Sequence, residues 1–518
     1  MKPCLTVRSL IRSNPAALVL LSSSVRMKGL QFQAEVKEVS PFSACTRTLV
    51  HLRRTAVMKK QEGTSRRSFL KDAARVGAAT ALLDQLAPGL YAGEDNTIRL
   101  ALIGCGGRGT GAVRDAFAVK HGPVKLVAMA DIFENRLTSS YNSLKRHRPD
   151  LVDVPKERRF LGFDAYKHAM DCLKSGDVAI LTTPPAFRWV HFTYAIQKGL
   201  NVFMEKPVTV DGPTSRRMFE LAKQSVAKNL KVGVGLMSRH SRALQQLAEK
   251  IREGELGEIV FMRGYRMHGP IGYFASLPKP PGISHLLYQV KRFHSFIWAS
   301  GGCFSDFYIH IIDHLCWMKG MWPVKALGLG GRHYRFSPDG RRYVDQNFDV
   351  YSIEYTFPDG TKFVMDGRCM NGCTPVYCSF AHGTKGVAVV SKSGDCGMPS
   401  IIYSGQLPDR SKVRWQSKVP PGENNPYRNE WNDLVDAIRN NKPYNEAERG
   451  VKASLVTSMG RMSAHTGQEI TYEQILNSKH EMAPGLDKLT MDSPPPLKPL
   501  PDGTYPVPQP GIIKDREY

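Results

Sequence analysis

Short apolar runs alternate with helical patterns along the first part of the chain, from about residue 96 to residue 236. Each run is four to six residues long and is followed by a polar or glycine-containing break. Strands that alternate with helices in this way are typical of a parallel, doubly wound sheet covered on both faces. We therefore predict an α/β domain whose buried strands are Leu100–Ile103, Leu126–Ala130, Val178–Leu181, Asn201–Met204 and Val232–Leu236.

The pattern changes after residue 236. Longer alternating runs separated by short turns predict a second, α+β domain with a largely antiparallel sheet over residues 237–483. A Pro-rich tail, residues 484–518, is predicted to lie extended on a surface or on a partner subunit. The predicted strands of this second domain are Ile259–Arg266, Lys325–Gly330, Asp349–Phe357, Thr361–Arg368 and Gly386–Val390.

A glycine-rich turn follows the first predicted strand. Gly104, Gly106 and Gly109 have G-x-G-x-x-G spacing, and a helical pattern comes directly after them. In a strand–turn–helix context these glycines permit a tight turn, a close approach of a pyrophosphate and close helix packing. The helix N-terminus offers free N–H groups to the phosphates. We predict that this turn binds a dinucleotide through Gly104, Cys105, Gly106, Gly107, Arg108 and Gly109.

The second predicted strand ends in Asp131, which lies 22 residues after Gly109. An acidic residue at about this distance binds the ribose hydroxyls of NAD in Rossmann domains. The cofactor is therefore predicted to be NAD(P), with NAD favoured because the carboxylate repels a 2′-phosphate. Arg136 is close to Asp131 in the sequence, so NADP also remains open. The alternative to a nucleotide site is a glycine-rich turn that binds no ligand, with Asp131 as an ordinary cap after the strand.

Two more strand ends carry polar residues. In doubly wound sheets, ligands bind beyond the carboxyl ends of the strands. Arg188 follows one of these strand ends and is either a cofactor or substrate contact or a surface cation. The predicted cofactor contacts at the strand ends are Thr182, Thr183, Pro184, Glu205 and Lys206.

These motifs together resemble the Gfo/Idh/MocA oxidoreductases over roughly Ile98–Thr471. The resemblance rests on the glycine turn, on T-T-P-P after the third strand, on M-E-K-P and on the D-x-x-x-H-x-x-D segment from Asp306 to Asp313. It implies a nicotinamide cofactor, a small carbohydrate substrate and a homodimer or homotetramer built through the second sheet. One departure is Tyr308, where the family usually has glycine, and we expect this side chain to narrow the pocket.

The resemblance implies that Lys206, Asp306 and His310 are the catalytic residues. The chemistry agrees, because oxidation of a secondary alcohol needs a group that takes the hydroxyl proton, and histidine titrates nearest neutral pH. Lys206 can donate a hydrogen bond to the same oxygen and stabilise charge there. Asp306 lies one helical turn before His310 and is predicted to orient the substrate or the imidazole. Asp313 is predicted to contact the substrate or to support these groups.

A metal site is the alternative for this segment, since Asp306, His310, Asp313 and His314 can share one side of a helix. The family uses no metal, so we predict none.

Three of the ten cysteines cluster at Cys369, Cys373 and Cys378. Their spacing lacks a C-x-x-C pair, and no histidine pair accompanies them. We therefore predict buried free thiols rather than a zinc site.

The net charge of +24 is divided unevenly along the chain. The first 92 residues hold 15 Lys and Arg against 5 Asp and Glu. The rest of the excess is spread without a basic helix, which favours a solvated basic surface over nucleic-acid binding.

The basic N-terminal region contains a twin-arginine export signature, S-R-R-S-F-L-K, at Ser65–Lys71. We predict a signal peptide over residues 58–95, preceded by a leader extension of uncertain status over residues 1–57. This address implies a twin-arginine translocase as a partner and a periplasmic or extracellular location. That route carries folded proteins, so we expect a tightly bound cofactor. No apolar run approaches the ~20 residues that span a bilayer, so stable membrane insertion is not predicted.

Three functions follow from these observations. The first is an exported dehydrogenase that moves a hydride to or from a hydroxyl carbon of a sugar, polyol or sugar derivative. The second is an NAD-dependent glycosidase that oxidises a sugar transiently, eliminates the glycosidic substituent and returns the hydride. The third is a sugar-binding protein with a structural nucleotide, against which the presence of Lys206 and His310 counts.

Overall fold

Six parallel strands form the first sheet of the computed structural model, which describes residues 96–392, 394 and 399–518. The strand order is β3-β2-β1-β4-β5-β6, with every neighbouring pair parallel. The predicted twin-arginine segment and the leader extension lie outside the described residues. The strands are β1 (Ile98–Ile103), β2 (Val124–Asp131), β3 (Arg159–Leu161), β4 (Val178–Leu181), β5 (Asn201–Met204) and β6 (Val232–Val234).

Helices cover both faces of this sheet. The central strands β1, β4 and β5 are buried almost throughout, as expected for a parallel sheet between two helical layers. The predicted doubly wound α/β fold is therefore confirmed. The helices connecting these strands are α1 (Gly107–Ala116), α2 (Glu134–His147), α3 (Ala165–Asp171), α4 (Arg188–Gln197) and α5 (Gly212–Ala227).

The second sheet has nine strands in the order β14-β13-β12-β11-β7-β10-β9-β8-β15. Only the β7–β10 pair is parallel, so the predicted, largely antiparallel sheet is confirmed. The strands are β7 (Ile259–His268), β8 (Lys325–Gly331), β9 (Val350–Thr356), β10 (Lys362–Cys369), β11 (Val376–Gly383), β12 (Gly386–Ser391), β13 (Ile401–Tyr403), β14 (Val413–Gln416) and β15 (Ile470–Thr471).

Five of these fifteen strands, β3, β11, β13, β14 and β15, are absent from the sequence prediction. The largest omission is β11, which lies in the middle of the second sheet between β7 and β12. Its first three residues and every second residue after them are only partly buried. The predicted strands β9 and β10 alternate between buried and partly buried residues throughout, whereas the three partly buried residues at the start of β11 break this alternation.

Seven further helices follow β6 along the described chain. The 18-residue helix α9 (Gly302–Lys319) is buried along almost its whole length, mainly against the second sheet and α11 (Ala447–Thr466). No helix among the described residues is long and apolar enough to cross a membrane. These helices are α6 (Arg242–Arg252), α7 (His285–Lys291), α8 (Ile297–Ser300), α9 (Gly302–Lys319), α10 (Pro426–Arg439), α11 (Ala447–Thr466) and α12 (Tyr472–Asn477).

Helix α10 returns from the far end of the chain to the first sheet. Its Trp431 stacks on Phe203 of β5 with ring centroids 4.6 Å apart. Leu434 and Val435 belong to the same apolar core as β1. The layer that covers this face is therefore completed by a segment far outside residues 96–236.

The Pro-rich tail lies on its own chain. Gly511 donates its N–H to the Thr466 carbonyl, and Gln289 donates its side-chain amide to the Leu497 carbonyl. At its end, the Glu517 carboxylate is buried in an ion pair with Arg461 of α11. Burial opposes ionisation of this carboxyl, but Arg461 and His465 together lower the pKa of Glu517 to about 2.

We predict that Glu517→Gln destabilises the protein by about 3 kcal/mol at neutral pH, because the substitution leaves the buried Arg461 guanidinium unpaired. The lowered pKa contributes stability that is complete above the ordinary carboxyl pKa and is lost as the pH falls towards about 2. The stability difference between wild type and variant therefore shrinks across this acid range. Urea unfolding as a function of pH measures it.

Glu448→Gln is the matched control, because Glu448 is on the same helix and its ion pair with Lys452 is exposed. The control should follow the wild type within about 0.5 kcal/mol. If the unfolding free energy of Glu517→Gln depended on pH as steeply as that of wild type, the result would contradict the lowered pKa of Glu517.

Candidate active site

A cleft of about 940 Å³ opens at the carboxyl ends of the first sheet's strands and is closed on its other side by α9. Both sheets' layers contribute to its wall. All of the predicted site residues except Asp313 line it: Gly104, Cys105, Gly106, Gly107, Arg108, Gly109, Asp131, Thr182, Thr183, Pro184, Arg188, Glu205, Lys206, Asp306 and His310.

The glycines of the turn differ in what surrounds them. Gly104 has a φ of +98°, which favours glycine. A Cβ on Gly109 would lie 2.2 Å from the Gly104 carbonyl oxygen, so α1 packs against the turn as closely as backbone allows. A Cβ on Gly106 or Gly107 would meet nothing within 4 Å. The turn therefore leaves open space at the N-terminus of α1, where a pyrophosphate fits.

The Asp131 carboxylate lies against the glycine turn. It accepts hydrogen bonds from the backbone N–H groups of Cys105 at 2.7 Å and Phe133 at 2.9 Å. Burial raises the pKa of Asp131 in spite of these bonds. The nearby Arg136 donates to the Lys291 carbonyl oxygen at 2.9 Å. These contacts hold the carboxylate at the cleft edge, in the position that suits the ribose hydroxyls of a dinucleotide.

The end of β4 is tied to the glycine turn by side chains. The Thr182 hydroxyl donates to the Gly104 carbonyl at 2.6 Å. Arg188 is 1% exposed and donates to the carbonyls of Leu181 at 2.6 Å and Thr183 at 2.9 Å. Burial lowers the pKa of Arg188 to about 10. Arg188 thus holds the end of β4 in place beneath the cleft.

An ion pair connects the glycine turn to the residue next to Lys206. Arg108 Nε lies 2.9 Å from Glu205 Oε1, and the other end of the guanidinium contacts Asp115 at 2.8 Å. Burial raises the pKa of Glu205, while Arg108 acts in the opposite direction. Arg108 also stacks over the Tyr427 ring at 4.8 Å. The two predicted cofactor contacts Arg108 and Glu205 thus bind each other.

Lys206 and Asp306 meet across the cleft. The Lys206 ammonium donates to the Asp306 backbone carbonyl and lies 3.3 Å from its Oδ1. The second carboxylate oxygen lies 3.1 Å from His294 Nε2. Burial would raise the pKa of Asp306, but the Lys206 charge and the His294 hydrogen bond more than offset it and hold that pKa well below its ordinary value. Asp306 is therefore an anion between two donors.

His294 is a site residue that the sequence did not indicate. It lies in the 3-10 turn Phe293–Ser295, within a loop that has no regular pattern. Its ring centroid is 3.9 Å from that of Phe293 and 5.5 Å from that of Phe307, and all three side chains line the cleft. A lone histidine in an irregular loop carries no sequence signal, because only the fold brings it to Asp306.

His310 lies one turn after Asp306 on α9, is 7% exposed and lines the same cleft. The i, i+4 spacing therefore brings these two residues to the same wall, as the sequence predicted. Lys206, Asp306 and His310 surround one space together with the glycine turn.

Asp313 and His314 point elsewhere. Both Asp313 oxygens accept hydrogen bonds from Arg239 at 2.8 Å, and the carboxylate is 0% exposed. His314 Nε2 lies 2.8 Å from the Ser379 hydroxyl. The structure thus gives Asp313 a supporting contact within the core rather than a position in the cleft. In the described part of the chain, no group of three or more metal-ligating side chains is arranged to hold a metal ion.

The expectation that Tyr308 narrows the pocket is wrong. Its side chain is 0% exposed and packs into the core between α9 and the second sheet. A Cβ on Gly367 of β10 would lie 2.1 Å from the Tyr308 ring. The ring therefore occupies the space that glycine leaves on the neighbouring strand, on the side of α9 away from the cleft.

The chain is similar over part of its length to inositol 2-dehydrogenases. It is 28% identical to the enzyme of Pseudarthrobacter chlorophenolicus over 168 residues, which are 32% of this chain and 44% of that protein. It is 26% identical to that of Corynebacterium glutamicum over 113 residues, 21% of this chain and 33% of that protein. The chain thus spans less than half the length of these curated relatives. No protein-family model matches it.

A solved structure shows the same fold over most of its length. The myo-inositol 2-dehydrogenase from Lactobacillus plantarum has a TM-score of 0.52 and 23% identity, over 72% of this chain and 99% of that one. The fold of this chain is thus similar to that of a dehydrogenase.

We predict that Gly109→Ala destabilises the protein by about 1–3 kcal/mol, because the added Cβ overlaps the Gly104 carbonyl and the Thr182 hydroxyl. Gly107→Ala is the matched control in the same turn, since its Cβ points into open space. We expect this control to stay within about 0.5 kcal/mol of wild type. Urea unfolding measures both, and equal midpoints for the two variants would contradict the close packing of α1.

Proposed function

We propose that the protein is an NAD(P)-dependent oxidoreductase of the Gfo/Idh/MocA type, acting on a CH–OH group of a sugar, cyclic polyol or sugar derivative. One observation carries this proposal: Lys206 and His310 line the same cleft as the glycine turn and Asp131. The inositol 2-dehydrogenase relatives and the shared dehydrogenase fold support an oxidoreductase in this role.

The residues fit a dinucleotide at one end of the cleft. The space above Gly106 and Gly107 accepts the pyrophosphate, and the anchored Asp131 carboxylate accepts ribose hydroxyls. We favour NAD, because Asp131 repels a 2′-phosphate and Arg136 is engaged by the Lys291 carbonyl. When bound, the nicotinamide supplies the hydride acceptor or donor.

His310 is the base in this proposal. Its imidazole takes the proton from the substrate hydroxyl, and the Lys206 ammonium donates a hydrogen bond to the same oxygen as negative charge develops there. The ionised Asp306 holds the Lys206 side chain in place. His294 completes the hydrogen bonding of Asp306. The aromatic rings of Phe293 and Phe307 give the substrate an apolar wall.

The scyllo-inositol dehydrogenase from Lactobacillus casei, solved with NAD(H) and scyllo-inositol bound, shares the fold with a TM-score of 0.52 and 19% identity over 73% of this chain and 99% of that one. It suggests cyclic polyols as the first substrates to test. Export by the twin-arginine route, tight cofactor binding and homo-oligomerisation through the second sheet remain part of the proposal and rest on the sequence.

A substrate panel tests the proposed reaction. We predict that purified protein supplied with NAD and a panel of inositols and sugars forms NADH, which is followed by its absorbance. The same protein is then given chromophoric glycosides with NAD. Release of the aglycone without net NADH would favour the glycosidase, and no turnover of either class with normal nucleotide binding would favour a sugar-binding protein.

We predict that Lys206→Ala retains nucleotide binding but loses about 10²-fold or more in kcat, because the oxygen of the reacting group loses its donor. Steady-state kinetics and nucleotide titration measure the two properties. Lys223→Ala is the control, since that lysine is exposed on α5 and pairs only with the exposed Glu220. A wild-type rate in Lys206→Ala would remove Lys206 from the mechanism.

A further inference from the structure

Two buried thiols lie in contact where the first turn of α9 meets the second sheet. Cys303 is in the first turn of α9, and Cys369 is the last residue of β10. Their sulfur atoms are 3.0 Å apart, and both side chains are 0% exposed. The two residues are 66 positions apart in the sequence. The pair therefore joins the start of the helix that carries Asp306 and His310 to the second sheet.

Polar groups converge on the Cys369 sulfur. The Tyr308 hydroxyl lies 3.7 Å from it, and His268 Nε2 lies 3.9 Å from it. The contact with the Cys303 thiol lowers the pKa of Cys369 to about 6, opposed by burial and aided by His268. Burial raises the pKa of Cys303 well above its ordinary value. The pKa of Cys369 is thus below that of Cys303, which favours the thiolate, the form that attacks a disulfide, at Cys369.

The surroundings of other cysteines are different. The Cys105 sulfur lies 3.5 Å from the Ala130 carbonyl oxygen, and the Cys172 sulfur lies 3.4 Å from the His168 carbonyl oxygen. Each of these thiols has a backbone acceptor, whereas Cys303 and Cys369 have each other. The 3.0 Å between the two sulfur atoms is about 1 Å more than the length of a disulfide bond.

We propose that Cys303 and Cys369 form an intramolecular disulfide by exchange with a small-molecule disulfide. The Cys369 thiolate attacks one sulfur of the reagent, whose S–S bond breaks and releases one thiol. The Cys303 sulfur then attacks the Cys369 sulfur of the mixed disulfide and displaces the second reagent thiol. The two protein thiols lose two electrons and two protons, and the reagent gains both as two thiols.

The end of β10 provides the route of access. Cys369 lies two residues before an exposed turn, in which Asn371, Gly372, Thr374 and Pro375 are all exposed. Strand ends beside exposed turns open locally more readily than the core does. A small disulfide can therefore reach Cys369 without unfolding of the sheet. The resulting bond fixes the first turn of α9 to β10.

The test uses the full chain treated with oxidised glutathione, then denatured, alkylated and digested for mass spectrometry. We expect the Cys303 and Cys369 peptides to be recovered joined, with a mass about 2 Da below the sum of the reduced peptides. Cys303→Ser and Cys369→Ser should each abolish this species. Cys316→Ser is the matched control, because Cys316 is buried on the same helix, and it should leave the crosslink intact.

A second measurement distinguishes slow access of the reagent to the buried thiols from a failure of Cys303 and Cys369 to pair. Oxidation is repeated in graded urea below the unfolding transition, and the half-buried Cys373 serves as the internal sign that the reagent is active. Crosslinked protein should unfold at a higher urea concentration than reduced protein, a shift that Cys303→Ser lacks. Alkylation of both Cys303 and Cys369 under all these conditions, or pairing of either with another cysteine, would overturn the proposal.

Discussion

The position of α9 relative to the first sheet depends on the ion pair between Lys206 and Asp306. Lys206 follows β5, Asp306 belongs to α9, and both side chains are largely buried, with 15% and 10% of their surfaces exposed. Removing one partner of such a pair leaves an uncompensated charge, so the two charges hold the layers in one arrangement. Because His310 is one turn further along α9, the same contact determines where the imidazole meets the cleft.

Other buried charges hold the rest of this helix. Arg461 of α11 donates to the Gly301 carbonyl and the Ser305 hydroxyl where α9 begins, and Glu517 of the tail neutralises the guanidinium. Two turns after Asp306, the bidentate contact of Asp313 with Arg239 holds the helix again. Fully hydrogen-bonded buried charges fix orientation because alternative packings would leave them unpaired. The tail and Asp313 thus hold in place the helix that carries Asp306 and His310, although they do not line the cleft.

The features predicted correctly from the sequence are those that local sequence patterns determine. The bounds of β4 and β5, the glycine turn and Asp131 at the end of β2 depend on short apolar runs and on residues that terminate them. His294 and the pairing of Arg108 with Glu205 depend on contacts between segments distant in sequence, and neither residue type nor spacing encodes those contacts. Helical spacing put Asp306, His310 and Asp313 on one side of a helix, but it could not show that Asp313 is bound by Arg239 within the core, because α9 is buried on nearly every side.

Tyr308 shows why a departure from a family pattern must be interpreted in three dimensions. Its position between Asp306 and His310 suggests a place in the cleft, yet successive helical residues diverge by about 100°. The ring therefore enters the core, where Gly367 of β10 provides the volume. The same packing brings the Tyr308 hydroxyl to Cys369. Asp306 and His310 of α9 thus line the cleft, while Cys303, near the start of the same helix, contacts Cys369 of the second sheet.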